Sequence, residues 1–347
     1  MERLRTTVHA TVLLLIIGWV LYIGRDVFVP AVFGAVVVYV IVGLAHALAK
    51  VPVVGQLVPR QLGYAISMLI IGYLFFSMFY LVIDRKDSVL ALAPQYQESL
   101  LATIQRIAVF LRIETEPTWA TLRHDLFGQV NLQRLFSSML VSVSSVLVSF
   151  VVVCLYATFL LVERRHFGTK LANLSRDPRE VARVREVIHV INRRIGAYLA
   201  LKTLLSVFLG GVSWVIMAFL GLEFAGFWAV LIAFLNYIPY IGSFLGVAFP
   251  VMMTVVQFED PGVILAMLAA LTLAQFLIGN FLDPYVMGNS LNLSPFAILI
   301  SLAVWSELWG IPGAFLAVPI TAIMTIVFSE FPGTRPVAVL LSQSGKL

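Results

Sequence analysis

The chain has 347 residues, of which 61% are hydrophobic and 12% are charged, and its mean hydropathy is +0.98. A soluble domain has about half apolar and about a quarter charged residues, so this composition excludes a water-soluble protein. It predicts an all-α polytopic membrane protein. The net charge of +5 does not indicate a nucleic-acid partner, because the basic residues flank apolar stretches instead of forming a stripe.

Eight apolar stretches are long enough to be membrane segments, because a helix needs about 20 residues to cross about 30 Å of hydrocarbon. They cover 8–24, 26–49, 64–83, 138–162, 198–220, 225–257, 262–282 and 295–328. Arg25 and Asp26 lie at the junction of the first two stretches, which predicts a tight helical hairpin. No cleavage site follows the first stretch, so we interpret it as a span and not as a signal peptide.

Two polar regions interrupt these segments. Residues 84–137 carry six basic and six acidic residues, and 163–197 carry nine Lys/Arg against four Asp/Glu. Helical spacing of apolar residues predicts an extracytoplasmic amphipathic helix in the first region. It predicts a basic amphipathic helix on the cytoplasmic membrane surface in the second. The predicted organisation is segments one to three (1–83), the external region (84–137), segment four (138–162), the basic helix (163–197), a transport core (198–330) and a tail (331–347).

The distribution of Lys and Arg also predicts the orientation of the chain. Basic residues concentrate before the first segment, in the 50–63 loop, in 163–197 and in the tail. Cytoplasmic loops carry an excess of Lys and Arg. We therefore expect both termini of this multi-pass protein to be cytoplasmic.

The two longest apolar segments resemble each other. Residues 242–256, GSFLGVAFPVMMTVV, match 313–327, GAFLAVPITAIMTIV, at seven of fifteen positions without a gap. Chance similarity between two apolar segments is the alternative. Just before the shared part, each copy has a Pro/Gly break, in LNYIPYI and in SELWGIP. Segments broken at matching positions indicate the binding site of a transporter.

Length sharpens the interpretation of these breaks. A straight helix over 225–257 would run about 50 Å, far beyond one crossing, and 295–328 has the same excess. Each segment either overshoots the membrane or folds back as a re-entrant hairpin, which we favour. Unwound backbone at membrane depth is tolerated where it is buried in protein or lines a wet cavity. The expected pathway residues at the two breaks are Pro239, Gly242, Gly310 and Gly313.

At these residues the sequence resembles the autoinducer-2 exporter family of bacterial membrane proteins. The resemblance rests on a P-Y-I-G element starting at Pro239 and a D-P-x-x-x-G element starting at Asp283, and it covers 194–328. It implies a homo-oligomeric secondary transporter or exporter of a small molecule or ion, in the bacterial inner membrane. Some members are linked to export of the quorum-sensing signal autoinducer-2, and others to sodium/proton antiport.

Few ionisable residues lie within the last segments, and an intramembrane charge is by default a functional candidate. Glu307 lies at the second break and would take up a proton if it is buried; otherwise it is solvated at an interface. Asp283 is either a cation or proton site or a helix-end residue before Pro284. Asn280 would share its helix face, and Gln275 lies more loosely on that side.

Two further polar residues have alternative roles. Lys202 either snorkels to the cytoplasmic surface or is a charge partner for a buried carboxylate. Asn236 either caps the broken helix or donates a hydrogen bond to a substrate. The sequence has no metal-ligand spacing and none of the motifs H-E-x-x-H, G-x-S-x-G or the phosphate loop. We therefore expect no enzyme activity, no metal and no cofactor.

Our first hypothesis is a secondary transporter that uses H⁺ or Na⁺ as its coupling ion, exporting a small solute or exchanging cations. A passive channel through an oligomer is an alternative of another class. A scaffold or sensor subunit with 84–137 as its docking surface is a third.

Overall fold

The structure is a computed structural model that describes residues 2–49, 59–84, 132–173, 175–258, 260–288 and 291–346. Within these ranges the chain forms α-helices and one π-helical turn, which confirms the predicted all-α fold. The helices are α1 (Glu2–Ile23), α2 (Arg25–Ala49), α3 (Arg60–Asp84), α4 (Leu132–Ala172), α5 (Pro178–Phe219), α6 (Ala225–Leu235), α7 (Ile241–Gln257), α8 (Pro261–Leu277), α9 (Asp283–Met287), α10 (Pro295–Trp309), α11 (Ile311–Ser329) and α12 (Arg335–Leu341). The predicted amphipathic helix in 84–137 lies outside the described residues.

Five of the described helices are long and apolar enough to cross a membrane, by length and composition. They contain Arg25–His46, Leu147–Arg164, Pro178–Phe219, Pro261–Met287 and Ile311–Ser329. This confirms the prediction of a polytopic membrane protein. In the most apolar part of α11, 61% of the residues are buried within the chain, whereas only 6% are buried in the corresponding part of α4. A helix that is apolar all round and buried is central, so α11 lies inside its unit, and α4 exposes apolar surface suited to lipid.

The basic stretch of 163–197 is not a separate surface helix. Residues 178–197 continue without a break into 198–219 as the single helix α5, which has 42 residues and is about 63 Å long. Only residues 173–177 separate α5 from α4. The basic residues of 178–197 therefore lie in the N-terminal half of the same helix that contains the apolar stretch. A helix lying flat on the membrane would need a bend before residue 198, and α5 has no break there.

The chain divides into two compact units. One contains Met1–Ser67, Ser149–Thr203 and Met287–Leu347, and the other contains Met68–Val148 and Leu204–Val286. The two interrupted segments belong to different units, because 225–257 lies in the second and 295–328 in the first. The grouping of 198–330 as one transport core stays a prediction.

Both interrupted segments are helical hairpins. In hairpin 1 (α6 and α7), a Cβ built on Gly242 would overlap the carbonyl oxygen of Leu235, and one on Gly246 would contact Ile232. Contacts that advance along α7 while they retreat along α6 define an antiparallel pair. In hairpin 2 (α10 and α11), a Cβ on Gly313 would overlap the carbonyl oxygen of Trp305. The apolar segments therefore turn back at their breaks.

An apolar cluster in the second unit holds hairpin 1. Its fully buried members come from three helices and two adjoining turns: Leu209, Met217, Leu222, Ala229, Ile232, Met267, Leu271 and Ile278. The approach of α5 to α6 is close, since a Cβ on Gly210 would lie 2.9 Å from the carbonyl oxygen of Ala229. Hairpin 1 therefore packs between the C-terminal half of α5 and α8.

The residues after hairpin 2 return to its base. Leu293 and Ser342 form an isolated antiparallel β-bridge, and the Ser294 N–H donates to the carbonyl oxygen of Leu341 at 2.9 Å. The Asn292 carboxamide donates to the carbonyl oxygen of Lys346 at 2.6 Å. The segment before α10 is thus held by the segment after α12.

Cysteine labelling tests the hairpin topology in the membrane. With Cys154 replaced by Ser, single cysteines in place of Asp260 and Leu291 flank the crossing helix formed by α8, the π-turn and α9. If both hairpins return to the side they enter, we expect a membrane-impermeant maleimide to label position 260 from outside and 291 only in inverted vesicles. Labelling with the two sides exchanged would contradict this topology.

Candidate functional site

The tip of hairpin 1 is a strained turn. The break covers 236–240, between the end of α6 and the start of α7. Tyr240 has φ 61° and ψ −57°, and the Ile241 N–H donates to the carbonyl oxygen of Pro239 at 2.6 Å. This is the rare form of γ-turn, which costs a non-glycine residue about 1–3 kcal/mol. The side chain of Tyr240 is 55% exposed, so the strained backbone presents an aromatic ring.

Two hydrogen bonds between side chains anchor this tip to neighbouring helices. The Asn236 carboxamide donates to the Ser206 hydroxyl of α5 at 3.0 Å, and both residues are buried. On the other side, the Gln275 carboxamide of α8 donates to the Ser243 hydroxyl at 2.9 Å. All four groups are uncharged and can still accept or donate further hydrogen bonds. They form a neutral polar track across the hairpin tip.

One side chain closes the base of hairpin 1. The Gln257 side chain, at the end of α7, accepts from the Glu223 N–H at 2.8 Å and donates to the Gly221 carbonyl oxygen at 2.9 Å. Residues 221 and 223 lie in the turn just before α6. The two ends of the hairpin are therefore tied together, and the hairpin is closed at both base and tip.

The helix after hairpin 1 contains a π-turn next to Asp283. The turn covers Ile278–Leu282, and the Asp283 N–H donates to the carbonyl oxygen of Ile278, five residues earlier. Pro284 follows, lacks an N–H and crowds the preceding turn. The chain nonetheless stays helical to Met287. Asp283 is therefore half-buried inside a helix and is not the helix-end residue that we considered. π-Turns are frequent at functional sites.

Asn280 does not join Asp283 on a regular helix face. Its carboxamide donates to the carbonyl oxygen of Phe276 at 3.2 Å, and its side chain is exposed. A π-turn closes over one more residue than an α-turn, so the expected three-residue spacing does not apply here. Gln275, which lies before Asn280 in this helix, contacts the hairpin tip through the Ser243 hydroxyl.

The second break is a single residue, Gly310. Its φ of 67° and ψ of −145° lie in a region that only glycine adopts readily. The indole N–H of Trp309 donates to the carbonyl oxygen of Leu21 in α1 at 2.9 Å. The rings of Phe33 and Phe315 lie 5.3 Å apart. The tip of hairpin 2 therefore lies against the end of α1 and the first half of α2.

Glu307 is exposed, so the burial on which we based proton uptake is not found in the described chain. The reason is its position on α10. Trp305 and Trp309 are buried, at 8% and 6% exposure, and Glu307 is two residues from each. Two residues turn a helix by about 200°, so Glu307 points away from the face that packs on α11.

Lys202 is buried, with 8% of its surface exposed, so it does not snorkel to a surface of the described chain. It shares a face of α5 with Ile195 and Leu199, which are 1% and 0% exposed. Spacings of four and three residues put these side chains on one side of a helix, and that side packs inside the first unit.

Three residues of this region were not predicted from the sequence: Ser206, Ser243 and Tyr240. The first two had a signal in the sequence, because hydroxyl side chains in apolar helices often bond across helices. Tyr240 had none, since its backbone strain depends on the turn that Pro239 and Gly242 force. Within the described residues no group of three or more His, Cys, Asp or Glu side chains could hold a metal ion.

Replacing Tyr240 by Gly tests the strain. Glycine adopts a positive φ without strain, so we expect the free energy of unfolding to rise by about 1 kcal/mol, measured as a higher thermal midpoint in detergent. Tyr237→Gly is the matched control, because Tyr237 has an ordinary backbone and its replacement should lower the midpoint. Equal losses in both variants would mean that Tyr240 is not strained.

The described structure is that of a polytopic membrane protein with paired broken helices. It has two interrupted hairpins, neutral polar anchors at one hairpin tip and a π-turn beside a carboxylate. Many secondary transporters belong to this class. Residues 11–333 match the family described as AI-2E family transporter. The chain belongs to this family, and it is a membrane transporter.

The chain is also similar to individual relatives over most of its length. It is 31% identical to the AI-2 transport protein TqsA of Escherichia coli (strain K12) over 291 residues, 83% of each chain. It is 29% identical to the candidate transport protein YhhT of the same strain over 256 residues, 73% of this chain and 71% of YhhT. It is 26% identical to a candidate transport protein of Haemophilus influenzae over 288 residues, 82% of each.

Proposed function

We propose that the chain is a secondary transporter that exports a small polar solute across a bacterial inner membrane. The observation that supports this most is the tip of hairpin 1. There, Asn236 and Gln275 bond to hydroxyl groups beside unwound backbone. Neutral donors and acceptors of this kind suit an uncharged solute rich in oxygen. One relative is named for AI-2 transport, so autoinducer-2 or a similar metabolite is the first substrate to test, with a role in quorum sensing.

An ion gradient would drive this export. Asp283 is the candidate for the coupling residue, because it is a half-buried carboxylate in an apolar helix beside a π-turn. A carboxylate in a membrane helix is costly and is usually retained for function. The coupling ion would be H⁺ or Na⁺. The same residue supports the second candidate function, a sodium(lithium)/proton antiporter without an organic substrate. In both cases we expect a homo-oligomer with both termini in the cytoplasm.

Transport by purified protein in liposomes tests these functions. We expect autoinducer-2 to accumulate against its gradient when a pH or sodium gradient is imposed. Flux that only runs downhill would support a channel. Proton movement that depends on Na⁺ or Li⁺ but not on the solute would support the antiporter. No flux of any kind would contradict a transport role for the isolated protein.

Neutralising Asp283 separates it from Glu307. We expect Asp283→Asn to reduce gradient-driven flux about tenfold or more, because an intramembrane carboxylate is the group that can exchange an ion. Glu307→Gln should change flux less than about threefold, because an exposed carboxylate makes weaker interactions. The measurement is initial flux in liposomes, compared at equal protein content. A larger loss from Glu307→Gln would restore Glu307 as the coupling residue.

A further inference from the structure

Three helices of the first unit meet around Tyr39. A Cβ on Gly34 of α2 would lie 3.2 Å from the backbone nitrogen of Ala157 in α4. The ring of Tyr39 lies against Gly196 of α5, where a Cβ would come within 3.5 Å of it. The Tyr39 hydroxyl donates to the Asn192 side-chain oxygen at 2.6 Å. The glycines let α4 and α5 approach α2 closely on either side of this tyrosine.

A polar stripe that ends in an arginine runs along α5 from this contact. Arg185, His189, Asn192 and Gly196 follow one another at spacings of four, three and four residues, which puts them on one helix face. Gly196 and Asn192 contact Tyr39, and Arg185 and His189 are exposed beyond it. The carboxamide nitrogen of Asn192 makes no hydrogen bond with the part of the chain that the structure describes. The stripe therefore presents the unused Asn192 amide next to Tyr39, with His189 and Arg185 about one and two turns farther along α5.

A second arginine comes from α4. Arg164 is exposed and lies two turns along the same face of α4 from Ala157, which contacts α2 at Gly34. Neither Arg164 nor Arg185 forms an ion pair with a described residue. The neighbouring carboxylate of Glu163 forms an ion pair with Lys170. Glu186 is next to Arg185 in the sequence, so it lies on a different face of α5. The Tyr39 cluster, defined as Tyr39, Arg164, Arg185, His189 and Asn192, therefore has a local excess of positive charge.

The cluster lies where two apolar stretches end. Arg164 is the last residue of the apolar part of α4, Leu147–Arg164. Leu160, one turn before it, is 40% exposed. On α5 the apolar stretch of 198–220 begins two residues after Gly196, which contacts Tyr39. Tyrosine is enriched where hydrocarbon meets headgroups, and arginine binds phosphate oxygens with two parallel hydrogen bonds.

We propose that the Tyr39 cluster binds the phosphate of an anionic phospholipid at the bilayer interface, with the acyl chains along the apolar surface below Arg164. A basic pocket between membrane helices is the kind of site that takes such a headgroup. A free phosphate would use the arginines but not the apolar surface, so the lipid is the occupant to which we commit.

Thermal unfolding of the full-length protein in detergent tests this site. We expect phosphatidylglycerol to raise the midpoint more than phosphatidylcholine does, by about 2 °C for each arginine that contacts the headgroup. Arg164→Gln with Arg185→Gln should remove most of that difference. The matched control is Arg179→Gln with Arg194→Gln. It removes the same charge, but both residues lie on α5 and off the stripe, with Arg194 about 180° from it.

Three results would overturn the proposal. They are equal midpoints in the two lipids for the wild type, equal losses in the site and control variants, and a full shift produced by inorganic phosphate alone. If the double variant is not monodisperse on gel filtration, Arg185→Gln alone is the measurement. Its exposed side chain supports no packing, so it should fold and lose about half of the difference. Retention of the whole difference in that variant would also overturn the proposal.

Discussion

Gly313→Ala and Gly242→Ala are each expected to destroy the packing of the hairpin that carries the substitution. In both places a Cβ would overlap a backbone carbonyl oxygen, that of Trp305 or Leu235. A backbone atom at the hairpin tip cannot move aside as a flexible side chain can. Overpacking costs about 1–3 kcal/mol and occasionally more, and an overlap with a backbone atom belongs at the upper end of that range. The total stability is about 5–15 kcal/mol. The measurement is the thermal midpoint in detergent, together with the yield of monodisperse protein.

Gly211→Ala is the control for these two substitutions. Gly211 lies in α5, and a Cβ there would meet nothing within 4 Å. Alanine is favoured over glycine in a helix by about 1 kcal/mol, so this variant should be as stable as the wild type or slightly more so. An unchanged midpoint for Gly313→Ala or Gly242→Ala would mean that the helices of that hairpin do not approach as closely as described.

Asn236→Ala should be the next most damaging change, and Ser206→Ala should be coupled to it. Removing one partner leaves the other as a buried polar group, which costs about 1–3 kcal/mol. Removing both should cost less than the sum of the single changes, with a coupling of about 0.5–1.5 kcal/mol, the range seen between membrane helices. The measurement is a double-mutant cycle on unfolding, with solute flux recorded for the same four proteins.

The control for this pair is Asn280→Ala. Asn280 is exposed, and within the part of the chain that the structure describes it bonds to a carbonyl oxygen of its own helix alone. Its loss should therefore change stability by less than about 0.5 kcal/mol. If Asn236→Ala and Ser206→Ala act additively, the hydrogen bond between them does not hold the tip. If stability falls but flux per folded molecule does not, the pair is structural only.

The hairpins could be predicted from sequence because their cause is local. Proline and glycine break a helix wherever they occur, and the length of 225–257 excludes one straight crossing. The repeat then located both breaks. It also aligned Gly242 with Gly313, and the structure gives these two residues the same role. These features depend on residue type and chain length, not on which helix lies beside which.

The orientation of side chains could not be predicted in the same way. For Glu307 the sequence left burial and solvation at an interface as alternatives. The structure exposes it, because α10 packs with its tryptophan face and Glu307 is on the other side. For Lys202 the sequence left a snorkelling side chain and a buried charge partner as alternatives. The residue is buried, because α5 begins some twenty residues before the apolar stretch. The π-turn before Asp283 shifted a helix face by one residue. Each of these outcomes is decided by tertiary packing.

The pairing of Leu293 and Ser294 with residues 341 and 342 has a consequence for biosynthesis. Residues 341 and 342 follow Leu293 and Ser294 in the sequence by more than forty residues. At about 5–20 residues per second, the ribosome needs several seconds to make them after α10 has begun. During that interval the segment before α10 lacks the residues that pair with it and is accessible to membrane proteases. Deleting 342–347 makes the unpaired state of Leu293 permanent, so we expect the truncated protein to be degraded faster in cells than the full-length protein.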